Sequence, residues 1–178
     1  PTADFLLPSQ IYVNLGGFSD IAAALASETT IDWYASADSA KAITIAFAAK
    51  ELSEHLATAG YPVSLNVGVP HLGTPGIYLL TASDQALVAE LESRGSPIRF
   101  DKMQDQGFVI VENGGSLLLI GKTRIGCLYA VYALLDTLGF KWFSPSVSSV
   151  PNLQAGAIVA HLPMVEEPSR QYRGFWTF

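Results

Sequence analysis

Cysteine is nearly absent from this sequence: Cys127 is the only one among 178 residues. A single thiol excludes an intrachain disulfide and a thiolate metal cluster. Its place in the apolar run from Ile125 to Leu135 makes it a buried, inert side chain. Basic residues are scarce too, ten Lys and Arg against sixteen Asp and Glu, for a net charge of -6. Phosphate backbones are held by basic stripes, so nucleic acid is excluded as a partner. The longest apolar run, Ile125 to Leu135, is too short to cross a bilayer and carries two tyrosines, so no membrane span is expected. Cysteine usage this low suits the cytosol and a bacterial periplasm equally. No signal peptide is visible, and Pro1 reads as a mature start.

Several chemical signatures are missing as well. Neither Gly-x-Gly-x-x-Gly after a strand nor a glycine-lysine phosphate loop occurs, so no nucleotide or other cofactor is expected. His-Glu-x-x-His is absent; Glu51-x-x-Glu54-His55 puts acidic and imidazole groups one helical turn apart, but a metal would need a third ligand, and a solvated helix face accounts for them. His71 stands alone in a Gly/Pro-rich loop and reads as a surface residue. Gly-x-Ser-x-Gly is missing, and no serine has a recognisable histidine partner. Glycoside cleavage requires two carboxylates about 5 to 9.5 Å apart across the scissile bond. Glu166 and Glu167 are adjacent, and neighbours in an extended segment face opposite ways, so they read as exposed linker charges. No catalytic residue is assigned within the chain.

What the sequence has in surplus is apolar surface: 49% hydrophobic residues against 15% charged, with a mean hydropathy of +0.31. That suits one well-buried core plus a face that meets a partner. Taken in order, residues 1–8 read as a lead-in arm, Ile11 to Leu15 as a strand, and Ser19-Asp20 as the cap of a short helix ending near Ala26. Thr30 to Ala35 is rich in β-formers and is expected as a strand. A long helix follows from Ser39 to Ala59, burying Ala42, Ile45, Ala49, Leu52 and Leu56, with Lys50, Glu51, Glu54, His55 and Thr58 wet and Gly60 closing it. Strands are expected from Tyr61 to Val67 and from Ile77 to Thr81. A helix from Ser83-Asp84 to Arg94 should bury Leu87, Val88 and Leu91. Gly107 to Val111 and Ser116 to Ile120 form a hairpin through Asn113-Gly114, because both residue types tolerate positive φ. Ala157 to Leu162 is a last strand or an extended linker. Helices among hairpins and crossovers give an α/β (α+β) sandwich, a mixed β-sheet with helices packed on it.

The stretch from Lys122 to Pro145 organises the rest. As a helix from Thr123 it places Ile125, Leu128, Val131, Leu135 and Leu138 on one face. Gly139 supplies a left-handed stop, and Phe140, Trp142 and Phe143 then form a short aromatic strand. Tyr129, Tyr132 and Asp136 fall on a second face, which either lines a groove or sits amphipathically at a helix–sheet or domain boundary; the boundary is the plainer expectation.

The pattern Arg124-x-Gly126-x-x-Tyr129-Ala130-x-Tyr132-x-Leu134-Leu135-x-x-Leu138-Gly139-x-x-Trp142-Phe143-x-Pro145 resembles the end of the non-catalytic N-terminal domain that precedes the barrel in several glycoside hydrolases. These are the family 20 hexosaminidases, the family 67 alpha-glucuronidases and related bacterial polysaccharide-degrading proteins. The resemblance is clear over residues 105–178. It implies a zincin-like chain path without a zinc site, an accessory domain over residues 1–150, a Pro-rich linker over 151–170, and the start of a (β/α)8 barrel over 171–178. It further implies a periplasmic or secreted bacterial protein. Its partners would be a C-terminal catalytic barrel of the same chain and, through it, a polysaccharide or oligosaccharide.

Tyr172-Arg173-Gly174 resembles the Arg-Gly step that opens the first barrel strand of family 20 enzymes, where the arginine binds sugar hydroxyls. By that resemblance Arg173 binds substrate and Trp176 is a stacking platform; a plain strand or interface arginine is the alternative. Phe175-Trp176-Thr177-Phe178 departs from the family 20 pattern, which expects acidic and basic residues there. The chain is therefore expected to be inactive alone, as an accessory domain of a glycoside hydrolase. The alternative is a stand-alone carbohydrate-binding or interaction module that uses aromatics such as Trp33, Trp142 and Tyr129. An enzyme completed by dimerisation has no positive sign.

Overall fold

The computed structural model describes residues 5–69, 73–93, 100–144, 147–154 and 156–169. A six-stranded mixed sheet lies at the centre, built from β2 (Gln10–Val13), β3 (Ser64–Val67), β4 (Ile77–Thr81), β5 (Phe108–Asn113), β6 (Ser116–Gly121) and β10 (Met164–Glu166), in the spatial order β10-β5-β6-β4-β2-β3. β3, β2, β4 and β6 run parallel, β5 returns antiparallel to β6, and β10 is antiparallel to β5. β4 is buried along its whole length, Ile-Tyr-Leu-Leu-Thr without alternation, because both of its faces are covered.

The pleat divides those side chains between two cores. Ile77 and Leu79 join Ile11, Val13, Leu117 and Leu119 under helices α1 (Ile21–Ala26), α2 (Ala37–Thr58) and α4 (Arg124–Thr137). Tyr78 and Leu80 join Val109, Leu118 and Ile120 under α3 (Gln85–Ser93), through Val88 and Leu91. The result is the expected α/β sandwich, with a mixed sheet between helices. Two small ribbons complete it: β1 (Phe5–Leu6) with β9 (Ile158–Val159), and β7 (Lys141–Ser144) with β8 (Val147–Ser149).

Local chemistry sets the element ends. The Asp20 carboxylate accepts from the amide of Ala23 at 2.8 Å and caps α1. α2 buries all five expected residues, and also Ala40, Ile43, Thr44, Ala46 and Ala48. Its alanines leave room for α4 to lie alongside. Gly139 has φ +100, the left-handed stop its position called for, and Phe140 beyond it is buried.

Three sequence expectations need correction. Thr30 to Ala35 is a chain of turns, not a strand: Asp32 Oδ1 accepts from the amides of Tyr34 and Ala35, both at 2.9 Å, and the Trp33 indole donates to the carbonyl of Glu28 at 3.1 Å. A side chain that satisfies the backbone locally beats β propensity. In the hairpin, Asn113 pairs with Ser116, so the two turn residues are Gly114 (φ +59) and Gly115 (φ +84), one place beyond Asn-Gly. On α4, Ile125 and Leu128 are only half-buried, and Gly126, Cys127, Ala130 and Leu134 are buried together with Val131 and Leu135. The helix is clasped between α2 and the sheet, so its buried arc is wider than one stripe and turned toward the small residues. At its first turn a Cβ on Gly126 would lie 2.3 Å from the carbonyl oxygen of Gly107, a backbone contact only glycine permits.

The stretch after Val150 is in part folded onto the domain. Leu153 is buried and its amide donates to the carbonyl of Ala59 at 2.8 Å, β9 pairs with β1, and β10 forms the edge of the main sheet. Glu166 and Glu167 are exposed, as expected, but Glu166 stands opposite Phe108 in that pairing and Glu167 accepts from the amide of Gln104 at 3.0 Å, so both sit on the folded domain.

Candidate functional site

α4 packs on β4, β5 and β6, and β10 forms the edge of the sheet beyond β5. Between α4 and β10 runs a groove of about 490 Å³. Tyr129, Tyr132 and Ala133 of α4 form one wall, Gln106 and Phe108 the floor, and Glu166, Glu167 and Pro168 the other wall. The tyrosine face of α4 thus lines a groove, the less expected of its two readings. Asp136 does not join it; it is exposed and pairs with Lys141 at the helix end.

Behind Tyr132 lies a second constellation. Its hydroxyl donates to Glu51 Oε2 at 2.8 Å, tying α4 to α2. Burial, and then that bond to a carboxylate, push the phenol up to about 12. One turn along α2, His55 places Nδ1 2.8 Å from the carbonyl oxygen of Glu51 and 4.0 Å from its carboxylate. The imidazole meets Phe140 and Trp142 edge-on, both at 5.6 Å between centroids, and Tyr132 meets Trp142 edge-on at 5.7 Å. The wet face expected for α2 is therefore split: Glu54 is exposed and paired with Lys50 at 2.9 Å, while Glu51 and His55 turn toward α4 and β7. The spacing of Glu51 and His55 on one helix was visible in the sequence, but nothing there joined them to Tyr132 and Trp142, which come from elements far away in the chain.

Next to it, Glu54, His55, Thr58, Phe140, Trp142, Ser148 and Val150 line a pocket of about 290 Å³. Trp142 is 43% exposed there and Phe143 beside it 71%. Trp33 is no free platform: it is half-buried against the core and the Arg124 guanidinium lies over its ring at 5.4 Å.

These groups bind and brace more readily than they react. Glu51 is engaged by Tyr132 and Glu167 by a backbone amide, and burial pushes the Cys127 thiol up to about 12, far from thiolate chemistry at neutral pH. Among the described residues no group of three or more His, Cys, Asp and Glu could hold a metal ion. No helix among the described residues is long and apolar enough to cross a membrane. Arg173 and Trp176, the two expected substrate-binding residues, lie outside the described residues, as does His71.

No family model matches this sequence, and no curated protein matches it. Among solved structures, the chain is similar to a GH138 enzyme targeting pectin rhamnogalacturonan II, at 17% identity over 74% of this chain with a TM-score of 0.38. The chain spans 13% of that protein's length. At this likeness neither a shared fold nor a shared activity follows.

Proposed function

We propose that this chain is a non-catalytic accessory domain of a carbohydrate-degrading glycoside hydrolase. In this reading it supports a C-terminal barrel of the same chain, which begins near Gln171 and carries the catalytic acids. The observation that carries the proposal is the work given to the residues of the α4 pattern. Gly126 allows α4 to press on the backbone of Gly107; Ala130, Leu134, Leu135 and Leu138 are core; Gly139 stops the helix; Tyr132 and Trp142 brace α2 and β7. A motif spent on packing describes a scaffold. Glycosidic cleavage needs an acid and a second carboxylate across the bond; of the two carboxylates lining the groove, Glu167 is bound to the amide of Gln104, and Glu51 behind the groove is bound by Tyr132.

The finer parts of the reading come with it: kinship to the family 20 and 67 enzymes, accessory residues 1–150 with a crossing to residue 170, a periplasmic or secreted location, and sugar contacts from Arg173 and Trp176. A second reading, a stand-alone carbohydrate-binding module, is favoured by the exposure of Trp142 and Phe143. Hydrolysis assays of the purified chain against a panel of polysaccharides and aryl glycosides test the first. No turnover is expected. Turnover that is lost in Glu166→Gln or Glu167→Gln would overturn the accessory role, and micromolar oligosaccharide binding without turnover would favour the module.

A further inference from the structure

We propose that the pocket between the last turns of α2 and the β7–β8 ribbon is a weak subsite for a neutral pyranose unit. The inference stands on the pocket's own groups and goes beyond the accessory role, since it gives the domain a direct contact with saccharide.

Trp142 is the platform. Phe140 lies nearly parallel to it, at 15° and 6.2 Å between centroids, while His55 and Tyr132 abut it at 70° and 83°. Three rings hold the indole, yet 43% of the residue remains exposed. An aromatic fixed before the ligand arrives loses little rotamer freedom on binding, and its apolar face suits the C–H face of a sugar ring. The cavity, about 290 Å³, lies at the small end of ligand pockets and suits a single ring.

The polar rim specifies the ligand's hydrogen-bonding character. His55 Nδ1 lies 2.8 Å from the carbonyl oxygen of Glu51, which can only accept, so Nδ1 carries the proton. In the neutral ring Nε2 is then the acceptor. Thr58 Oγ1 spends its hydrogen on the carbonyl of Glu54 at 2.8 Å, leaving oxygen lone pairs. The Glu54 carboxylate accepts from Lys50 at 2.9 Å and has further acceptor capacity. Ser148 supplies a hydroxyl from the opposite wall. The rim is rich in acceptors, with the Glu54 charge balanced by Lys50, so it suits a ring that presents several O–H donors. A uronic acid, which replaces a hydroxyl donor with an acceptor-only carboxylate, is disfavoured.

The test uses the whole chain and follows the Trp142 indole and Ser148 backbone resonances by NMR while neutral oligosaccharides (xylose-, glucose-, galactose- and mannose-based) and oligogalacturonate are added. At least one neutral series is expected to shift both resonances with millimolar affinity, and oligogalacturonate to bind more weakly than that series. Trp142→Ala should weaken binding about five- to tenfold. Because that residue also braces α2, the exposed-side variants Thr58→Val and Ser148→Ala, which leave the aromatic stack alone, should each weaken it about two- to fivefold. Glu54→Gln should bring oligogalacturonate toward parity with the neutral sugar. The proposal is overturned if no neutral sugar shifts Trp142 and Ser148, if the shifts map to Tyr129 and Gln106 instead, or if oligogalacturonate binds as well to the unaltered chain. None of these outcomes bears on turnover, so the accessory role stands or falls by its own assay.

Discussion

Tyr132 on α4 and Glu51 on α2 share a hydrogen bond of 2.8 Å across 81 residues of sequence, and that bond joins the groove wall to the aromatic cluster. Tyr132→Phe keeps the ring against Trp142 but leaves the half-buried Glu51 carboxylate without its donor. The cost should be about 1.5 kcal/mol, the low end for a bond to a charged group because water reaches part of the site. A shift of the urea midpoint at unchanged slope would verify it.

The same pair predicts an alkaline limit. Tyr132 holds its proton up to about 12 in the folded chain, against 10.0 for an unperturbed tyrosine. Between those values the unfolded chain has released the proton and the folded one has not, so stability is complete below pH 10 and falls toward pH 12. Tyr61 and Tyr78, raised by burial, act with the same sign. The slope lost in Tyr132→Phe, from denaturation curves at several alkaline pH values, isolates its share.

Two glycines should fail for different reasons. Gly126→Ala drives a methyl to within 2.3 Å of the Gly107 carbonyl oxygen, backbone against backbone, and should cost about 3 kcal/mol or prevent folding. Gly139→Ala meets nothing nearer than Pro151 Cβ at 3.5 Å, so only its φ of +100 is strained, and about 1–2 kcal/mol is expected. Equal losses in thermal unfolding would contradict this account.

Lys41 Nζ contacts Asp84 Oδ1 at 2.9 Å, while Asp84 Oδ2 accepts from the amide of Thr81 at 2.8 Å and its hydroxyl at 3.0 Å. The two partners should therefore be unequal. Asp84→Ala leaves the Thr81 amide without its acceptor and the Lys41 ammonium with only the Ser83 hydroxyl at 2.9 Å, at about 2 kcal/mol, whereas Lys41→Met leaves Asp84 with both Thr81 bonds and should cost about 1 kcal/mol or less. Denaturant titration of both variants gives the comparison.

Cys127 has no exposed surface and its thiol is pushed up to about 12 by burial. Labelling by a thiol reagent at pH 8 should wait for opening of the α4–sheet core, with a rate that rises with urea as global unfolding does. Rapid stoichiometric labelling of the folded chain would show α4 to be less firmly seated.

Much of the architecture is legible in the sequence. β4 was found residue for residue, α2 and α4 to within about two residues at each end, and the Gly139 stop and the Asp20 cap were both found. The misreading of Thr30 to Ala35 came from counting β-formers while one carboxylate, Asp32, folded the segment into turns. The groove was harder to foresee. Tyr129 and Tyr132 were visible on one helix face, but the opposite wall depends on Met164–Glu166 returning to pair with β5, and three residues carry too little pattern to announce a strand.

The sequence by itself determined what each neighbourhood within a few turns of chain would do: which runs are helical, which alternate, where glycine must reverse the backbone, and that one thiol would be buried. Those outcomes rest on hydrogen bonds and sterics between residues three or four apart, and the residues involved are adjacent in the text. Only the tertiary structure decided that Glu51 would meet Tyr132, that Trp142 would stand on Phe140 beside His55, and that the sheet edge would leave a groove. Such meetings depend on how whole helices and strands seat against a shared core, where the burial of many side chains at once outweighs the preference of any one.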